Sequence, residues 1–251
     1  MIRTISDIKK AQASTNREIS KTTTRKFKRH IYYLNKQYDL LSEFLTNFFE
    51  YGNMVYDDST EFTLCFSLLN ESLRKQKIAT KLVTNGHYDE AAELIRHIMQ
   101  TCFSIIHLSK NKDSWKDWEI QQKYEEEKLV KDVKNPGKIF NNFRDLLKSI
   151  GEENQYKTFQ KLSSWSHPSI ESIRSNFELS KEPAQKFYST QRYNEEKAEY
   201  FLSVLYCFIN RGFWEGFKDL FRIEGDRPKP AKQYKRMQEK VTKVFDKIYA
   251  S

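Results

Sequence analysis

The 251 residues include 14% aromatic and 38% hydrophobic side chains, more buriable surface than a wholly disordered chain offers. Seven Gly and five Pro are too few for an all-β protein with tight hairpins. The net charge of +9 is uneven: residues 1–36 hold ten Lys/Arg against two Asp/Glu, and residues 227–251 hold eight against two. The middle, 37–226, is therefore acidic at 9 − 8 − 6 = −5.

Residues 5–22 are polar and rich in Ser and Thr and read as a weakly packed helix or arm. From Thr24 the apolar positions Phe27, Ile31, Leu34, Tyr38, Leu41, Leu45 and Phe48 recur at alternating spacings of four and three, the seam of a long packing helix. A second helix is expected from about Ser59 to Thr84, closed by Asn85-Gly86. Asp89 is the expected cap of a third, running to about Ser109. Its apolar residues, from Ala91 to Ile106, cover about half the helix circumference, which marks it as central.

Trp115 and Trp118 open a charged, exposed helix that ends before the turn Asn135-Pro136-Gly137. Helices follow over Ile139–Ile150 and from Glu153 to Ser163, then a break rich in serine around His167-Pro168. Residues 177–194 read as a loop or short helix. Asn194 caps a strongly apolar helix ending at Phe221, in which Gly212 and Gly216 allow another helix to approach closely. Gly225-Asp226-Arg227-Pro228-Lys229-Pro230 is a stiff linker, and a basic helix begins near Lys232. The expectation is an all-α helical bundle with long central helices. It divides into a basic N-terminal arm or helix (1–23), the bundle (24–222), and a linker with a basic C-terminal helix (223–251).

Cys65, Cys102 and Cys207 lie far apart among apolar neighbours, a pattern of neither a disulfide framework nor a zinc cluster. No cofactor or metal is expected. The N-terminus lacks the apolar stretch of a signal peptide. The most apolar window, Tyr200 to Ile209, is far shorter than the about 20 residues that span a bilayer. A cytoplasmic protein is the expectation.

Two groups of residues carry candidate chemistry. Basic ends can neutralise phosphates, releasing condensed counterions and giving affinity that does not depend on base sequence. The residues singled out for nucleic acid are Arg25, Lys26, Lys28, Arg29, Lys232, Lys235 and Arg236. The second group is a polar pocket. Arg96 and Gln100 share one flank of the central helix, and a guanidinium beside an apolar arc needs a partner. His167 sits before Pro168, which disfavours helical geometry, so Arg96, Gln100, Ser163 and His167 are expected to meet. His87, His97 and His107 are given no role, since His97 and His107 stand about 15 Å apart along one helix.

The stretch from about Ala91 to Ser169 resembles bacterial all-helical domains that carry Arg-x-x-x-Glu and, 60 to 80 residues later, Leu-Ser-x-x-x-His. The matching segments are Arg96-His97-Ile98-Met99-Gln100 and Leu162-Ser163-Ser164-Trp165-Ser166-His167, with Gln100 in place of the carboxylate. Some such domains resemble in turn the HEPN ribonucleases of prokaryotic toxin and antiviral systems, whose active sites use Arg and His four to six residues apart. Arg25-Lys26-Phe27-Lys28-Arg29-His30 has that spacing, with Lys26 where the motif usually has Asn, Asp or His. The first resemblance implies a helical fold and no established activity; the second implies, as an alternative, a metal-independent ribonuclease with Arg25 and His30 as the pair.

The leading expectation is a helical protein that works by binding nucleic acid, or a partner in a defence or toxin-like module. The alternatives are HEPN-type RNA cleavage and a helical scaffold that dimerises through the seam from Phe27 to Phe48.

Overall fold

The computed structural model describes residues 5–55, 60–111, 113–126, 140, 142–166, 177–178, 186–187, 193–221 and the single positions 232, 235, 236 and 239. Its architecture is an all-α helical bundle. Among the described residues eight helices have defined bounds, in order: α1 (Ile5–Lys26), α2 (Lys28–Val55), α3 (Thr60–Thr84), α4 (Tyr88–Lys110), α5 (Ser114–Glu126), α6 (Phe143–Ser149), α7 (Tyr156–Ser166) and α8 (Glu195–Phe221). A 3-10 turn, Glu153–Gln155, precedes α7.

Helices α1 and α2 form one near-continuous rod. Phe27 N–H donates to the Thr23 carbonyl at 2.9 Å and Ile31 N–H to the Phe27 carbonyl at 3.0 Å, so the ladder passes through the turn at Phe27. The heptad seam faces inward: Phe27, Leu34, Leu41 and Leu45 are buried, with Ile31 and Tyr38 packed against the core. A buried amide relay ties the rod to its neighbours. Gln76 Nε2 of α3 donates to Gln37 Oε1 of α2 at 2.8 Å, and Gln37 Nε2 donates to the Tyr206 carbonyl of α8 at 3.0 Å.

Helix α4 is the central element, packed by α8, α3 and α7. Ala91, Ala92, Ile95, Ile98, Met99, Ile105 and Ile106 have no exposed surface, as the broad apolar arc requires. Packing neighbours on several sides cover the arc, and Glu93 and His97 keep a narrow exposed face. On α8, Gly212 lies where a Cβ would stand 2.8 Å from Cys102 Sγ and 2.9 Å from Cys102 Cβ, and at Gly216 a Cβ would press still closer on Ile105. The two glycines let α8 and α4 approach closely.

Several boundaries differ from expectation for local reasons. Gly86 closes α3 with φ at +80°, and its N–H and that of His87 bond to the Val83 and Leu82 carbonyls at 3.1 and 2.9 Å, a Schellman ending. Helix α4 starts directly afterwards, so its N-cap is His87, which makes no side-chain cap bond, and Asp89 falls inside the first turn. Helix α6 begins at Phe143 because Asn142 caps it, accepting from Arg144 N–H at 3.1 Å. Helix α7 runs three residues past Ser163 to Ser166. At Asn194 the expected cap forms: its Oδ1 accepts from Lys197 N–H at 2.8 Å. Within 177–194, Phe177–Glu178 and Lys186–Phe187 pair as a two-residue antiparallel ladder, Phe177 opposite Phe187, where a loop or short helix was expected. The turn at 135–137 and the linker at 225–230 lie outside the described residues.

Candidate functional site

The α1–α2 rod buries one face and exposes the other. At about 100° per residue, Ile19, Thr23, Phe27, Leu34 and Leu41 point into the bundle and are buried. Lys10, Arg17, Lys21, Arg25, Lys28, Tyr32 and Lys36 lie on the opposite side, and all are exposed, as is Arg29 at its edge. From Arg17 to Lys36 this ridge is about 28 Å long at 1.5 Å per residue. Glu18 is the exposed acidic side chain among these cations, and Asp39 and Glu43 end the basic run. Tyr32 is 60% exposed, the most exposed large apolar side chain among the described residues, its ring edge-on to Tyr33 at 5.4 Å.

The expected cluster of residues 25–30 is thereby divided between two faces. Arg25, Lys28 and Arg29 belong to the ridge. Lys26 is turned toward α8, where it forms an ion pair with Glu195. His30 is half-buried, edge-on to Phe27 at 5.6 Å. Burial pushes its pKa below the ordinary value, partly opposed by the Glu199 carboxylate. Five residues of helix rotate side chains by about 140°, so Arg25 faces solvent while His30 faces α8. The structure does not direct the two candidate cleavage residues at one point. Lys232, Lys235 and Arg236 are helical and exposed.

Of the residues expected to form a polar pocket, Arg96, Gln100 and Ser163 are among the described residues. Arg96 donates to Glu93 Oε1, one turn earlier on α4, at 2.7 Å, and its guanidinium carbon lies 5.8 Å from the Phe159 ring centroid on α7. The local carboxylate and the aromatic face supply what a half-buried guanidinium needs. Gln100 is half-buried one turn further along α4. Ser163 follows Phe159 by one turn and donates to its carbonyl at 2.9 Å. Arg96 and Ser163 therefore belong to the same α4/α7 seam, bridged by Phe159. His167 lies outside the described residues.

Next to Ser163 and Ser164 stands an aromatic cluster that sequence reasoning missed. Trp165 lies edge-on to Tyr200 and Phe201 of α8 at 5.4 and 5.1 Å. Lys161 Nζ sits 4.3 Å from the Tyr200 centroid and 5.0 Å from that of Trp165. Lys197 Nζ lies 5.5 Å from the Trp165 centroid and 4.0 Å from Asp89 Oδ1. Burial raises the Asp89 pKa, and Lys197 opposes the rise. This arrangement clamps α7 to α8 and to the start of α4.

His107 also acquires a partner that no sequence spacing announces, because it stands 42 positions away. Its Nδ1 lies 2.8 Å from Ser149 Oγ and 3.2 Å from Asn111 Nδ2. The residue is only 4% exposed, and burial lowers its pKa. Ser149 Oγ also lies 2.7 Å from the carbonyl of Leu146, one turn earlier on α6, to which it can donate. The pair ties α6 to α4.

Among the described residues no group of three or more His, Cys, Asp or Glu side chains could hold a metal ion. No described helix is long and apolar enough to cross a membrane. The sequence matches no family model, no curated protein and no solved structure.

Proposed function

We propose that this protein binds single-stranded nucleic acid along the outer face of α1 and α2. The observation that carries the reading is the exposed ridge Arg17, Lys21, Arg25, Lys28, Arg29 and Lys36 with Tyr32 standing among them. A row of cations on one straight edge follows a phosphate backbone, and an exposed aromatic ring gives a base a surface to stack on. The ridge residues support affinity rather than base readout. A bilayer surface is a poorer match, because a helix lying in the interface presents a broad apolar face, and the apolar face of this rod is spent in the core. The burial of Phe27, Leu34, Leu41 and Leu45 within the chain itself favours this reading over a scaffold that pairs through the seam. For cleavage, the divided placement of Arg25 and His30 offers no support.

The test is fluorescence anisotropy with a labelled single-stranded RNA of mixed sequence, repeated across salt concentrations. With four phosphates engaged, log K against log salt should fall with a slope of about −2.8. Arg25→Glu/Lys28→Glu should abolish binding at about 0.1 M salt, and Tyr32→Ala should weaken it at least about fivefold, the lower end expected for one stacked base. Equal affinity of the wild type and the charge-reversed variant would refute the proposal.

A further inference from the structure

Beside the ridge, α1 leans over the turn that joins α3 to α4, leaving a groove of about 360 Å³ lined by Asn16, Arg17, Ser20, Lys21, Asn85 and His87. Those six side chains are two permanent cations, two amides, a hydroxyl and an imidazole, with no carboxylate and no large apolar group among them. With its two permanent cations, such a lining disfavours a cationic ligand. It offers hydrogen-bond donors from several directions, which is what a tetrahedral oxyanion with three or four acceptor oxygens uses.

The volume lies at the small end of ligand sites, enough for a phosphate with part of the sugar it is attached to. The walls are placed by the fold. Gly86, at positive φ, and the Schellman bonds fix Asn85 and His87 on one side. The other side is one stripe of α1, where residues 16, 17, 20 and 21 follow the spacing of a single helical face. His87 Nδ1 lies 3.5 Å from Glu90 Oε1, a carboxylate that stands outside the groove lining.

We infer that this groove seats a phosphate group. The inference deepens the proposed binding of nucleic acid and rests on it in one respect: Arg17 and Lys21 belong to both the groove and the ridge, so a strand following the ridge would deliver one of its phosphodiesters here. A phosphate group on a small free molecule offers the same chemistry, and the experiment separates the two sources.

The full chain, labelled with nitrogen-15, is titrated first with inorganic phosphate at constant ionic strength against a chloride control, and then with a single-stranded RNA. The expected result is a saturable shift of the Asn85, Gly86 and His87 amides with phosphate but not chloride, and shifts of the same amides with RNA. Arg17→Ala should lose the phosphate response. It should also weaken RNA binding about fivefold at about 0.1 M salt and flatten the salt slope by about 0.7, the share of one phosphate on a single strand. Asn85→Asp, which keeps both cations and adds a carboxylate, should lose the phosphate response too.

A phosphate response without any RNA binding would confirm the groove for free phosphate groups while overturning the ridge reading. RNA binding with no shift at residues 85–87, and no phosphate response, would overturn the groove and leave the ridge standing.

Discussion

Gly212→Ala tests the packing that organises the bundle, because two effects of opposite sign meet there. An alanine in a helix interior is favoured over glycine by about 0.8–1.0 kcal/mol, so on propensity alone the substitution should stabilise α8. The added methyl would stand 2.8 Å from Cys102 Sγ, 2.9 Å from Cys102 Cβ and 3.3 Å from Cys102 Cα. The latter two atoms cannot swing away as the end of a flexible side chain could, so α8 must withdraw from α4. Overpacking of this kind typically costs about 1–3 kcal/mol. With a backbone atom among the contacts the cost falls in the upper part of that range, about 2–3 kcal/mol, so the net loss is about 1–2 kcal/mol, or a fall in Tm of about 2–8 °C for a domain of this size. Thermal unfolding followed by circular dichroism at 222 nm reads it directly. A Tm at or above that of the wild type would show that the helices are not in the close contact described, and would refute the reasoning.

Other outcomes follow from named contacts. Gln76→Leu leaves Gln37 Oε1 without its 2.8 Å donor in a fully buried setting and should cost about 1–3 kcal/mol in urea unfolding, with Gln37→Leu/Gln76→Leu costing less than the sum of the two single changes. Arg211 of α8 bonds Glu215 at 2.9 Å, pairs with Glu152 and lies 5.5 Å from the Phe103 centroid; Arg211→Met should lower stability by leaving the Glu152 carboxylate uncompensated at neutral pH, seen as a smaller loss in Glu152→Gln/Arg211→Met than in Arg211→Met alone. Burial holds the pKa values of His30 and His107 below those of the unfolded chain, so just under about pH 6.5 the unfolded state binds more protons. Stability should therefore rise with pH through that window and be lost as pH falls, and His107→Gln should flatten the dependence of the urea midpoint between about pH 5 and pH 7; an unchanged profile would contradict the burial of that imidazole.

The helical class and the central place of α4 were legible because both rest on periodicity. An arc running from Ala91 to Ile106 can be satisfied only by neighbours on several sides, and the seam from Phe27 to Leu45 only by burial. The sequence also showed Gly212 and Gly216, since two small residues one turn apart on an otherwise bulky helix leave a groove. What could not be read was how tertiary neighbours divide a local cluster. Residues 25–30 look uniformly basic along the chain, yet helix rotation sends Arg25 and Lys28 outward and hands Lys26 to Glu195, which is 169 positions away. The groove was equally hidden, because Asn16 and Asn85 come to line it together only when α1 passes beside the turn after α3. The N-cap of α4 was misplaced at Asp89 because the Schellman ending of α3 leaves only Asn85, Gly86 and His87 between the two helices, so the cap position falls on His87. The aromatic clamp around Trp165 joins α7 to α8 across a stretch of chain with no periodic signal of its own.

The central claim is that the ridge on α1 and α2 is an electrostatic track for a nucleic-acid strand, and the salt dependence of RNA affinity in wild type and Arg25→Glu/Lys28→Glu tests it most directly. The account predicts a steep negative slope of about −2.8 for the wild type and no measurable binding by the variant at about 0.1 M salt. An affinity that is flat across salt, or the same for both proteins, would contradict it.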